Sequence, residues 1–146
     1  MEELIFRNVK IKAEIVQADE KERNMRALLN LGHTFAHAIE ASLGYGVIGH
    51  GEAVGLGLIA ASRLGFSLGR TPKEVETKTI AILEKAGLPT KYKLPDTEKL
   101  ISVMYSDKKV SSGKLRFVLP LSIGSAEVVE VEDIAKVGEA IGEIRL

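Results

Sequence analysis

The sequence predicts a mainly helical domain with a small β-hairpin near its C-terminus, and three observations carry this. Apolar residues recur at helical spacing through most of the chain up to about residue 105. The period then changes, and Lys114 to Leu119 and Ala126 to Val131 read as two short strands. The glycine-rich run Gly-Tyr-Gly-Val-Ile-Gly at 44–49 follows a predicted helix rather than a strand, so it does not open a doubly wound nucleotide-binding sheet.

Taken in order, Leu4, Ile5, Val9, Ala13 and Val16 place a first helix from Glu2 to about Ala18, with no capping residue before it. Asp19 to Asn24 is a charged connection. A second helix is predicted from about Met25 to Leu43, closed by Gly44 with Gly46 just beyond. Val47 to Gly51 reads as a loop. Glu52 to Leu68 is almost wholly apolar or small, the mark of a central helix buried on most sides. Thr71, Pro72 and Glu74 open another helix as cap, first turn and early acid, and Gly87 with Pro89 ends it. A short helix follows from about Asp96 to Tyr105. The hairpin turns across Pro120 to Ser125, and a last helix runs from Glu132 to about Ile141.

With 146 residues, 45% of them hydrophobic, the chain can bury one ordinary core, and a single domain over 1–146 is expected. Its 20 basic and 20 acidic residues balance, without long runs of either sign, which argues against nucleic acid or an anionic membrane as partner. No stretch approaches the roughly 18 apolar residues of a membrane span, and the N-terminal residues do not resemble a signal peptide, so a cytoplasmic protein is expected. Absence of cysteine removes disulfides, thiolate metal sites and a cysteine nucleophile, leaving histidine and carboxylate as metal ligands.

All three histidines, His33, His37 and His50, fall in one short window. Arg26, Asn30, His33 and His37 are spaced by four, three and four, which places them in one sector of the predicted second helix, and Glu22 extends the row if the helix begins that early. Burying a guanidinium, an amide and two imidazoles is costly unless they face a polar cleft, and such a cleft suits an anionic ligand and a metal. His50, flanked by Gly49 and Gly51, supplies a third imidazole across a short connection. Histidines on helices are more often surface or hydrogen-bonded core residues than ligands. Glu40 and Glu52 are possible carboxylate partners, yet they read more simply as a solvated or supporting group and a first-turn acid. Lys12, Lys108 and Lys109 read as solvated lysines on pattern alone.

The run Arg-Ala-Leu-Leu-Asn-Leu-Gly-His-Thr-Phe-Ala-His-Ala-Ile-Glu at 26–40, with Gly-Tyr-Gly at 44–46 and His-Gly-Glu-Ala-Val at 50–54, closely resembles 3-dehydroquinate synthase. The resemblance extends through Lys-Ala-Glu-Ile-Val at 12–16, Asp-Glu-Lys-Glu at 19–22 and Asp-Lys-Lys-Val-Ser-Ser-Gly-Lys-Leu-Arg-Phe-Val-Leu-Pro at 107–120, and so covers essentially the whole chain. It implies the fold of the C-terminal helical half of that family. It also implies conversion of a phosphorylated sugar acid, 3-deoxy-D-arabino-heptulosonate 7-phosphate, into 3-dehydroquinate and phosphate, with zinc or another divalent metal and NAD as cofactors.

On this resemblance His33 and His50 ligate the metal, and Lys12 and Arg26 bind the substrate carboxylate. Asn30, His37 and one lysine of the pair Lys108 and Lys109 contact the phosphate end, and Glu22 meets a hydroxyl. His37 positions substrate and handles protons rather than acting as a strong base. Ala36 stands where the family commonly has glycine, a single methyl that is expected to be tolerated. The family's NAD-binding domain, with a carboxylate third ligand and further lysines, has no counterpart in these residues, so the chain is expected to be inactive alone and to need that N-terminal domain as partner. A homodimer is expected as well. The alternatives are another sugar phosphate cyclase, a metal-dependent polyol dehydrogenase fragment, or a non-catalytic binding module.

Overall fold

The computed structural model describes residues 1–19, 25–44, 46–107 and 113–146. Their order is α1 (Glu2–Asp19), a 3-10 helix (Met25–Asn30), α2 (His33–Leu43), α3 (His50–Ser67), α4 (Lys73–Lys85), α5 (Thr97–Asp107), β1 (Leu115–Ser122), β2 (Ser125–Val131) and α6 (Ile134–Glu143). The helical class with a terminal hairpin therefore holds. Among the described residues no helix is long and apolar enough to cross a membrane.

Helix α3 is the axis of the core. It packs against α2, α4, α6 and β1, and Leu56, Ile59, Ala60 and Leu64 are fully buried on it. Small residues let these neighbours approach closely: a Cβ on Gly57 would lie 2.2 Å from the carbonyl oxygen of Gly32, and one on Gly65 would lie 1.9 Å from Oγ1 of Thr71. Phe35 of α2 and Phe117 of β1, both buried, stack at 5.0 Å between ring centroids, tying the second helix to the hairpin. Ala36 is buried without exposure, its methyl absorbed in this core.

Four expectations need correction. The single helix from Met25 to Leu43 is broken: the 3-10 helix ends at Asn30, and Gly32 takes φ +79° before α2 starts at His33. The cause is tertiary, since Gly32 is pressed against the backbone of Gly57 and Leu58 and only glycine fits both the contact and the left-handed conformation. His50 is the first residue of α3 rather than a loop residue, because Glu52 Oε2 accepts a 2.9 Å hydrogen bond from the Gly49 amide and starts the helix early. Thr71 does not cap α4. Its hydroxyl donates to the Pro120 carbonyl at 2.5 Å, and Pro72 takes the cap position. The strands run further than expected, pairing antiparallel from Leu115 with Val131 to Ser122 with Ser125, with an irregularity between Pro120 and Ser122 that accommodates the proline.

Helix α1 behaves differently from the rest. It has no buried residue and packs mainly on the 3-10 segment, and Leu4, Ile5, Phe6 and Val9 are all more than half exposed.

Candidate metal centre

The break at Gly32 sets up the histidine cluster. It places His33 at the head of α2, one turn below His37, while the Glu52-capped start of α3 brings in His50 from the other side of the 44–49 connection. The ring centroids of His33 and His50 are 5.6 Å apart, those of His33 and His37 5.7 Å, and those of His37 and His50 6.5 Å. With zinc–nitrogen bonds of about 2.0–2.1 Å, two imidazoles on one tetrahedral ion hold their centroids about 5 Å apart, so the first pair needs only a small adjustment to share an ion.

Hydrogen bonding prepares two of these rings alike. Nδ1 of His33 lies 3.2 Å from the carbonyl oxygen of Leu31, and Nδ1 of His50 lies 3.1 Å from Oε1 of Glu40. A carbonyl oxygen and an ionised carboxylate can only accept, so in each ring Nδ1 carries the proton. With Nδ1 so committed, the lone pair of the neutral form of each ring falls on Nε2, the form in which imidazole binds a metal. The two donors thus fit two positions of a four-coordinate divalent ion. Among the described residues, no group of three or more His, Asp or Glu side chains forms a complete ligand set.

The rest of the row is distributed around this cluster. Arg26, Asn30, His37 and His50 are exposed and His33 is half-buried, so the stripe lies at the surface rather than in a buried crevice. This avoids the cost of withdrawing a guanidinium and several imidazoles from water. Asn30 lines a cavity of about 220 Å³ between the 3-10 helix, α2 and the hairpin, together with Thr34, Arg116 and Phe117. Thr34 hydrogen-bonds the Arg116 carbonyl at 3.2 Å across this cavity. Arg116 borders the same space as Asn30 and is a site residue that pattern alone does not mark; its place in the 107–120 run, two residues after Lys114 on β1, is a signal for it. Lys12 is exposed on α1, the helix that packs on the segment carrying Arg26 and Asn30. Glu22, Lys108 and Lys109 lie outside the described residues. Glu52 serves the start of α3, as its first-turn position suggested.

Comparison with known proteins identifies the family and the fold. The family model described as 3-dehydroquinate synthase C-terminal matches residues 1–110. A 3-dehydroquinate synthase of Nostoc punctiforme is 43% identical over 133 residues, covering 89% of this chain and 36% of the relative. Among solved structures, a 2-epi-5-epi-valiolone synthase from Streptomyces hygroscopicus subsp. jinggangensis with NAD+ and Zn2+ bound superposes with a TM-score of 0.78 at 22% identity, over 94% of this chain and 38% of its own. A 2-deoxy-scyllo-inosose synthase complexed with carbaglucose-6-phosphate, NAD+ and Co2+ gives a TM-score of 0.69 at 23% identity, over 84% and 35%. At these identities the two structures establish the shared fold. The chain spans little more than a third of the length of each of these relatives. With the family model matched over most of its length, this chain belongs to the 3-dehydroquinate synthase C-terminal family.

Proposed function

We propose that this chain supplies the metal- and substrate-binding part of a 3-dehydroquinate synthase, a carbon–oxygen lyase that converts 3-deoxy-D-arabino-heptulosonate 7-phosphate to 3-dehydroquinate and phosphate for aromatic amino acid biosynthesis. The observation that carries the reading is the pairing of His33 and His50, 5.6 Å apart, each with Nδ1 committed to an acceptor. His33 and His50 would hold a divalent metal, which would supply polarisation of a substrate hydroxyl, and NAD would supply redox chemistry.

This chain's own residues then bind and orient. Arg26 suits a bidentate grip on the substrate carboxylate, with Lys12 as a second cation. Asn30 and His37 meet the phosphate end, where hydrogen-bond donors stabilise the departing group, and one of Lys108 and Lys109 joins them. Glu22 accepts from a substrate hydroxyl. On this reading the third metal ligand and most of the NAD contacts come from an NAD-binding domain that lies outside these residues. The reading includes a homodimer acting in the cytoplasm.

Calorimetric titration with zinc tests the centre: His33→Ala or His50→Ala is expected to weaken binding, and unchanged affinity in both refutes the ligand pair. Turnover tests the division of labour. Dehydroquinate is expected only when the nucleotide-binding part of a relative is supplied with this chain, and steady turnover by these residues alone overturns it.

A further inference from the structure

We infer that Glu40 is a positioning residue for this metal centre, holding His50 in the tautomer that leaves Nε2 free for a divalent ion; the inference rests on the metal reading proposed above. Three observations support it. Glu40 Oε1 lies 3.1 Å from His50 Nδ1, within hydrogen-bond range, and the two residues are ten apart in sequence, so the contact is made by the fold and not by neighbouring positions on one helix. The Glu40 side chain is only 17% exposed, against 59% for that of His50, so the carboxylate is fixed while the ring it holds reaches toward solvent. A largely desolvated carboxylate needs a donor, and among the described residues its hydrogen-bonding partner is His50.

The two histidines are therefore held by different means. His33 is oriented by a neutral main-chain carbonyl, and His50 by a charged side chain. A carboxylate behind an imidazole fixes the ring plane and makes the opposite nitrogen a stronger donor. His50 stands at the first turn of α3 with glycine on each side, and its side chain is 59% exposed, so little packing holds this ring. Glu40 supplies that confinement.

Two measurements on the 146-residue chain test the role. Long-range proton–nitrogen NMR of the metal-free protein reports which nitrogen of His50 carries the proton, and competition against a chromophoric chelator reports zinc affinity. The wild type is expected to protonate Nδ1 of His50. Glu40→Ala is expected to lose that preference and weaken zinc by about 10–100-fold, and Glu40→Gln, whose amide oxygen still accepts, to fall between. If Glu40→Ala does not fold by circular dichroism, Glu40→Gln carries the same comparison. An unchanged tautomer together with zinc affinity within about twofold of wild type overturns the role, and does so without touching the metal reading provided His50→Ala loses affinity. Equal zinc affinity in the wild type and His50→Ala overturns the metal reading and this role with it.

Discussion

Helices α3 and α1 have the same length, 18 residues, yet they occupy opposite extremes of the molecule. Helix α3 buries ten of its residues and packs against α2, α4, α6 and β1, whereas α1 buries none and leans on one short 3-10 segment. The proposed site straddles this divide: His33 and His50 are anchored on the packed side, while Lys12 and Arg26 stand on the lightly packed side. The packing sets the proposed metal pair on helices that belong to the core and the proposed carboxylate-binding cations on elements that bury little of themselves.

The contrast can be broken by mutation. The largest expected effect is at Phe35, where Phe35→Ala empties the ring pair with Phe117 and should cost about 3–5 kcal/mol in chemical denaturation; a loss under about 1 kcal/mol would contradict the described core. Gly57→Ala comes next. Its methyl meets the Gly32 carbonyl oxygen at 2.2 Å, so a loss of about 1–3 kcal/mol is expected, along with weaker zinc binding because Gly32 sets the start of α2; normal stability would mean that the two segments can separate freely. On the other side of the divide, Phe6→Ala on α1 should change stability by no more than about 0.5 kcal/mol, although phenylalanine is large, because the side chain is 64% exposed. A larger loss would show that α1 is buried against something in solution.

The smallest effect concerns the surface pair Lys114–Glu132, 2.6 Å apart, in which Lys114 is partly covered and Glu132 exposed. The hydrogen bond from Lys114, followed by its charge, holds the Glu132 carboxyl below its ordinary value, and the same bond raises Lys114. A depressed carboxyl stabilises the fold above its unfolded pKa and loses that contribution as pH falls through its folded value. Thermal melts of Glu132→Gln should therefore lie slightly below wild type at neutral pH and converge with it in acid. Divergence on acidification would contradict the sign.

Much of this was legible in the sequence, for physical reasons that differ by region. Helix α3 was readable because a helix buried all round must be apolar or small all round, and the hairpin because its period changes near Lys114. The clustering of His33, His37 and His50 was readable because two lie one helical turn apart and the third follows a short connection. The break at Gly32 was not, since its cause is a contact with Gly57, 25 positions away, while the apolar pattern runs on through it. Thr71 misled for a similar reason: local rules make it a cap, and a carbonyl 49 residues on claims its hydroxyl. The bond between Glu40 and His50 depends on how α2 and α3 pack together, which no periodicity records.

The bond that His33 donates to the Leu31 main-chain carbonyl has a consequence for how such a site can vary over descent. Whatever side chain occupies position 31, the peptide oxygen stays, so one grip of the pair is written into the backbone and is indifferent to substitution there. The opposite grip depends on a single codon, at position 40. Selection that adjusts how tightly such a pocket holds its ion has that one position to work with, while the other half keeps the geometry constant.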